Sequence, residues 1–302
     1  MENSKICNYA DDNTIWVKSK DIDPIVTNLN EELEILNNWF KENSMLLNED
    51  KCKLMIVESK QNKRSDKAMI TINNNPIVEV NEAKLLGITF DSHLTFDKHI
   101  KSICKSAGKK LSALSRLAPY LGSNKRILLM KTFVLSHFNY CPLVWMYCNR
   151  KSNNLINSIH ERALRIAYND QSFSFTELLQ QDKSTTIHQL NIQKLLMEIY
   201  KTINGMNPTF MKEIFCTRES SHNLRTSHFE LIRPNTNKYG TDTITFKGSS
   251  IWNSLPKDAK NCISVPSFQQ TIDNNQEIRN LCNCRLCTEF IPNIGYVNVT
   301  HT

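Results

Sequence analysis

Across residues 21–43 the apolar positions Ile25, Leu29, Leu33, Leu36 and Phe40 recur at helical spacing, with Glu31, Glu32 and Glu34 off that face. This predicts an amphipathic helix. Residues 4–20 follow another rhythm: Ile6 and Asn8 lead into Tyr9-Ala10-Asp11-Asp12-Asn13, and Thr14, Ile15, Trp16 and Val17 make a β-branched and aromatic run. That pattern predicts a hairpin with two carboxylates at its tip. Residues 53–57 read as a short buried strand, 68–72 and 76–80 as a hairpin around Asn73-Asn74-Asn75, and 84–90 as one more strand. From 96 to 168 the period turns helical. It predicts helices over 98–117, 123–138 (closed near Pro142) and 152–168, the last with Leu155, Ile159, Ala163 and Ile166 on its buried face. A further helix is predicted over 185–203, ending at Gly205, while 218–262 reads as loop apart from Thr243-Ile244-Thr245-Phe246. The fold class expected is α+β, organised as a mixed segment over 1–95, a helical domain over 96–170 and a helical and loop region over 171–302.

With 302 residues and 40% hydrophobic content the chain is large enough for two buried cores, which excludes wholesale disorder. The start carries no basic and apolar leader. Its most apolar window, 127–146, is broken by Lys131, His137, Asn139 and Pro142, so neither secretion nor a membrane span is expected. Ten cysteines without a disulfide-scaffold spacing read as reduced thiols in an intracellular protein, nuclear or cytoplasmic alike.

The net charge of +7 is concentrated. Residues 1–100 hold 12 Lys/Arg against 17 Asp/Glu, residues 170–302 hold 13 against 12, and residues 101–169 hold 12 against Glu161 alone. On a helix, Lys98, Lys101, Lys105, Lys109 and Arg116 fall within roughly 80° of arc, opposite Ile100, Ile103, Ala107, Leu111, Leu114 and Leu117. A row of cations without carboxylates suits nucleic-acid phosphate; a solvated face that binds nothing is the plainer reading.

Three residue groups could carry chemistry. Adjacent Asp11 and Asp12 oppose each other's ionisation unless a cation neutralises them, yet Asp-Asp is also an ordinary turn sequence. Cys282-x-Cys284-x-x-Cys287 makes zinc a candidate ion, but a tetrahedral site wants four ligands; Cys262 and His301 are the candidates for the fourth, and incidental reduced cysteines are the alternative. Asp91, His93 and His99 could suggest another metal site, or plain polar surface.

Taken in order, Tyr9-Ala10-Asp11-Asp12, the helix ending Trp39-Phe40, Leu46-Leu47-Asn48-Glu49-Asp50-Lys51-Cys52-Lys53-Leu54-Met55 and Leu85-Leu86-Gly87-Ile88-Thr89-Phe90-Asp91 closely resemble the end of the palm in jockey-like non-LTR retrotransposon reverse transcriptases. Ile156-Asn157-Ser158-Ile159-His160-Glu161-Arg162-Ala163-Leu164-Arg165, Gly248-Ser249-Ser250-Ile251-Trp252-Asn253-Ser254-Leu255-Pro256 and the cysteine tail are similar to the thumb and tail of that family. The resemblance implies Asp11 and Asp12 as ligands of Mg2+ in a two-metal site, Tyr9 beside them, Lys51 as the basic residue assisting pyrophosphate departure, and Leu86-Gly87 as a primer-grip hairpin. Without the family, Lys51 is an ordinary surface lysine. An RNA template and a DNA primer are the implied partners. Only eight residues precede Tyr9, so fingers, nucleotide pocket and a further catalytic aspartate are expected to be missing, and no polymerase activity is expected from this chain alone. A non-enzymatic nucleic-acid-binding or protein-interaction module is the alternative.

Overall fold

The computed structural model describes residues 4–59, 61, 68–218, 230–236, 240–275, 278, 281–288, 290–291 and 295–296, and divides into two units, residues 1–96 and 97–302. It combines helices with short antiparallel strand pairs, an α+β content.

In the first unit β1 (Lys5–Tyr9) pairs with β2 (Asp12–Trp16), and α1 (Ile22–Glu42) follows. Asp21 and Asn43 flank α1, so its bounds coincide with the polar residues that close the apolar pattern. Its buried positions are Leu29, Glu32 and Asn37 rather than the whole expected stripe, because α1 meets the hairpin β3 (Thr71–Ile72) and β4 (Asn75–Pro76) partly through polar bonds. Asn30 accepts from the Thr71 amide at 2.9 Å and donates to the Met69 carbonyl at 3.3 Å. Asn73 and Asn74, at φ 49° and 65°, make the turn of a two-residue hairpin, a conformation asparagine tolerates.

Two strand expectations fail in this unit. Residues 53–57 form no strand; a single parallel bridge joins Leu54 to Glu79. Residues 84–90 are not one strand but the hairpin β5 (Glu82–Leu85) and β6 (Ile88–Asp91), turned at Leu86 and Gly87 with φ 46° and 85°. Two consecutive left-handed residues match the twist of the flanking strands, and Gly87 has no Cβ to oppose it.

The second unit is built on helices α2 (Asp97–Leu117), α3 (Ser123–Leu129), α4 (Pro142–Trp145), α5 (Arg150–Tyr168), α6 (Phe175–Asp182), α7 (Ile187–Ile203), α8 (Met211–Ile214), α9 (Ile244–Asn253), α10 (Lys257–Lys260) and α11 (Val265–Asn274), with a last turn at Arg285–Thr288. The single helix expected over 123–138 changes character on the way. After α3 it widens to a π-helix at Met130–Val134 and tightens to a 3-10 turn at Leu135–Phe138, which keeps Met130, Val134 and Phe138 all buried. The buried side of α5 is also wider than its apolar stripe. Neighbours α2, α3 and α6 cover Ile156, Ile159, Ala163 and Leu164 together with Asn153, Asn157 and His160, while Leu155 is exposed. The run Thr243-Ile244-Thr245-Phe246, set apart from the expected loop, is the start of α9, where Thr243 accepts from the Phe246 amide as its N-cap. Gly248 lets α9 approach closely, since a Cβ there would sit 3.2 Å from Ile199 and Phe215. Helices α6 and α11 lie where no element was predicted.

Asn149 caps α5, accepting from the Ser152 amide at 2.9 Å while its own amide donates to Asp97 at 2.5 Å. Asn149→Ala removes both bonds and is expected to cost about 1–2 kcal/mol in urea unfolding. An unchanged midpoint would contradict the cap's role.

Candidate metal cluster and nucleic-acid face

The aspartate hairpin is exposed along nearly its full length. Its register sets Tyr9 opposite Asp12, leaving Ala10 and Asp11 as the turn, with Ala10 held at φ 53°. Asp11 and Asp12 are both exposed, and Tyr9 is 65% exposed. Lys5 pairs across the strands with Trp16 and sets its ammonium 5.5 Å from the ring centroid. Among the described residues no ion pair joins either aspartate to Lys51, and no third metal-ligating side chain groups with them. Lys51 sits exposed on a 3-10 turn, Glu49–Lys51. That turn is anchored by Glu49, which accepts from Asn73 at 2.6 Å and from Asn75 at 2.7 Å, bonds that hold its carboxyl below the usual range.

Asp91 and the two histidines near it do other work. Asp91 accepts from the amides of His93, Thr95 and Phe96; burial pushes its carboxyl up, and these bonds more than reverse that. His93 bonds the Glu58 carbonyl at 3.0 Å, while His99 is buried with its ring 6.4 Å from Trp145. None of the three belongs to a metal-ligating group among the described residues.

On α2 the expected division of faces holds along most of its length. Ile100, Cys104, Ala107, Leu111 and Leu114 are buried, whereas Lys98, Lys101, Lys105, Lys109 and Arg116 are exposed; Leu117, at the helix end, is 52% exposed. Among the described residues no carboxylate pairs with Lys101, Lys105, Lys109 or Arg116. From Lys98 to Arg116 the row runs about 27 Å at the helical rise.

The cysteine tail folds into the core of the second unit. Cys282 and Cys284 are buried with Trp252, Phe268 and Ile199, and the Cys287 amide donates to the Cys284 carbonyl at 2.9 Å, curling the chain back so that Cys287 returns to its two companions. The fourth member comes from α7. His188 and the three thiols place one ligand atom each within 4.8 Å of all the others. Cys262 is occupied elsewhere, near the Asp258 carbonyl and the Thr271 hydroxyl, and His301 lies outside the described residues. Bonds from Cys282 and Cys287, aided by the His188 ring, hold the Cys284 thiol low, and the same sharing pushes Cys282 up to about 12 and raises Cys287. Sequence reasoning missed His188. Its only local mark is the capping box of Thr186 and Gln189 that starts α7 and fixes where the ring stands.

Fold and sites thus define an α+β chain with an exposed aspartate hairpin, a lysine-lined helix and a closed Cys/His cluster. Its homologues are RNA-directed DNA polymerases of the mobile element jockey, a non-LTR retrotransposon. The enzyme of Drosophila melanogaster is 30% identical over 116 residues, covering 38% of this chain and 12% of the relative; that of Drosophila funebris is 26% identical over 163 residues, covering 53% and 18%. The chain therefore spans less than a fifth of either relative's length. No family model and no solved structure matches it. Among the described residues no helix is long and apolar enough to cross a membrane.

Proposed function

We propose that these residues are the palm-end, thumb and tail portion of an RNA-directed DNA polymerase of a mobile element, and that α2 holds the phosphates of an RNA template and DNA primer. The observation that carries this reading is the row Lys101, Lys105, Lys109 and Arg116, exposed and without carboxylate partners among the described residues. Similarity to the jockey polymerases supports the choice of nucleic acid.

Asp11 and Asp12 suit Mg2+ as hard oxygen donors at an exposed hairpin tip, and in the parent enzyme they would hold it. A bound ion supplies charge neutralisation at the transferring phosphate. Two-metal transfer requires carboxylates from more than one strand, and among the described residues none joins this pair. Lys51 and Leu86-Gly87 are proposed in the roles the resemblance implies. That no third carboxylate groups with the pair among the described residues favours a second reading of these 302 residues taken alone, a nucleic-acid-binding module without chemistry.

Primer extension on an RNA template with Mg2+ separates the two. The expected result is no DNA synthesis by these residues while hybrid binding persists. Synthesis that Asp11→Ala abolishes would establish a complete catalytic site here and overturn the expectation of inactivity.

A further inference from the structure

We infer that His188, Cys282, Cys284 and Cys287 are the four ligands of a structural zinc ion that clasps the tail of the chain onto α7. The inference is independent of the polymerase reading.

Distance comes first. Zinc bound tetrahedrally with Zn–S near 2.3 Å sets neighbouring ligand atoms roughly 3.7 Å apart. Here His188 Nε2 stands 3.1 Å from Cys284 Sγ, and no pair among the four ligand atoms exceeds 4.8 Å. Those separations bracket the ideal, so the atoms reach coordination by side-chain adjustments of about an ångström.

The histidine is already oriented. Its Nδ1 lies 3.0 Å from the Met146 carbonyl oxygen, which can only accept, so the ring proton sits on Nδ1. The Nε2 lone pair then faces the cysteines. A backbone carbonyl fixing the far nitrogen is the usual outer support of a zinc histidine.

The polar surroundings also ask for something. Tyr147 meets the His188 ring edge-on at 5.9 Å, and its buried hydroxyl has no hydrogen-bond partner among the described residues. Three thiolates and a neutral imidazole on Zn2+ leave one net negative charge, which a nearby cation offsets. Lys247, 9% exposed, bonds Asn283 between the first two cysteines and brings a cation to the same loop.

Soft thiolates with one imidazole select zinc over magnesium or calcium. The burial selects a structural role over a catalytic one: His188, Cys282 and Cys284 are each under 5% exposed, and four protein ligands leave no open position. Such an ion adds to the core packing of Cys282, Cys284 and Leu286 in fastening the tail to α7, so tail order and metal loading are coupled.

The test uses the full chain purified without chelator. Elemental analysis should find about one zinc per chain, and Co2+ exchanged into the wild-type protein should give the intense visible bands of a tetrahedral site with sulfur-to-cobalt charge transfer. His188→Ala should weaken zinc affinity at least about tenfold, and Cys284→Ser likewise, whereas Cys216→Ser, exposed and outside the cluster, should leave loading unchanged. The wild-type cobalt spectrum keeps the test decisive even where a ligand variant fails to fold. Folded wild-type chain that holds no zinc and gives no tetrahedral cobalt spectrum overturns the inference. So does zinc retained undiminished in His188→Ala, or a disulfide among Cys282, Cys284 and Cys287 found by mass.

Discussion

Raising salt from about 50 to about 200 mM is expected to lower the chain's affinity for an RNA–DNA hybrid roughly a thousandfold, if about six cations meet phosphates. The five aligned residues of α2 and their neighbour Lys110 are all exposed and make up that number. Each neutralised phosphate releases close to one condensed counterion, so a fourfold rise in salt compounds across the contacts. A triple variant, Lys101→Gln with Lys105→Gln and Lys109→Gln, should flatten the slope of log affinity against log salt by about three units. Its stability should hardly change, because these side chains are solvated and no carboxylate loses a partner. Fluorescence anisotropy with a labelled hybrid reads both quantities. A wild-type slope near zero removes the nucleic-acid role of α2.

Acidification from about pH 6.5 to about pH 4 is expected to remove as much as about 3 kcal/mol of folding stability through His160 alone. The ring is wholly buried in α5, edge-on to Phe175 at 5.5 Å, and neither nitrogen has a hydrogen-bond partner among the described residues. Burial pushes its pKa down to about 4, against a weaker opposing pull from Asp182. The direction follows from proton binding. Between the two pKa values the unfolded chain takes up a proton that the folded chain refuses, so stability is full above about pH 6.5 and drains as pH falls toward the folded value. His99, lowered by burial, acts in the same sense. The lowered carboxyls of Asp91, Asp170 and Glu177 act at more acid pH. His160→Leu should match or exceed the wild type near pH 7.5, since it removes two orphaned polar atoms, and should lose most of the slope between pH 6.5 and 4.5. Urea midpoints across that range decide it: equal slopes in the two proteins would refute the role of His160.

How much was legible follows from how local each feature is. Helix α1 could be bounded at Asp21 and Asn43 because apolar spacing, and the polar residues that interrupt it, act within a few residues. The two faces of α2 were legible for the same reason: burial of Leu111 and exposure of Lys109 depend only on helical period and on some partner covering one side. The hairpin at Leu86-Gly87 was hidden from the apolar pattern, which runs unbroken across a turn whose cost is a left-handed leucine; only the family resemblance implied a hairpin there. Residues 243–246 stood out from the polar stretch around them, but that they start a helix was decided by the cap at Thr243 and the close packing of Gly248. The wide buried side of α5, with Asn157 and His160 inside it, arose because it is covered from several directions at once.

The candidate sites divide along the same line. Tyr9-Ala10-Asp11-Asp12 and the cysteine triplet are contiguous words, and the sequence alone determined that a carboxylate pair would stand at a hairpin tip and that three thiols would lie together. That the triplet is completed by His188, 96 residues before Cys284, only the tertiary structure decided. The pattern along a chain sets which side of each element avoids water; which distant side chain then fills the fourth corner depends on how those elements pack, a property of the whole unit that no local spacing carries.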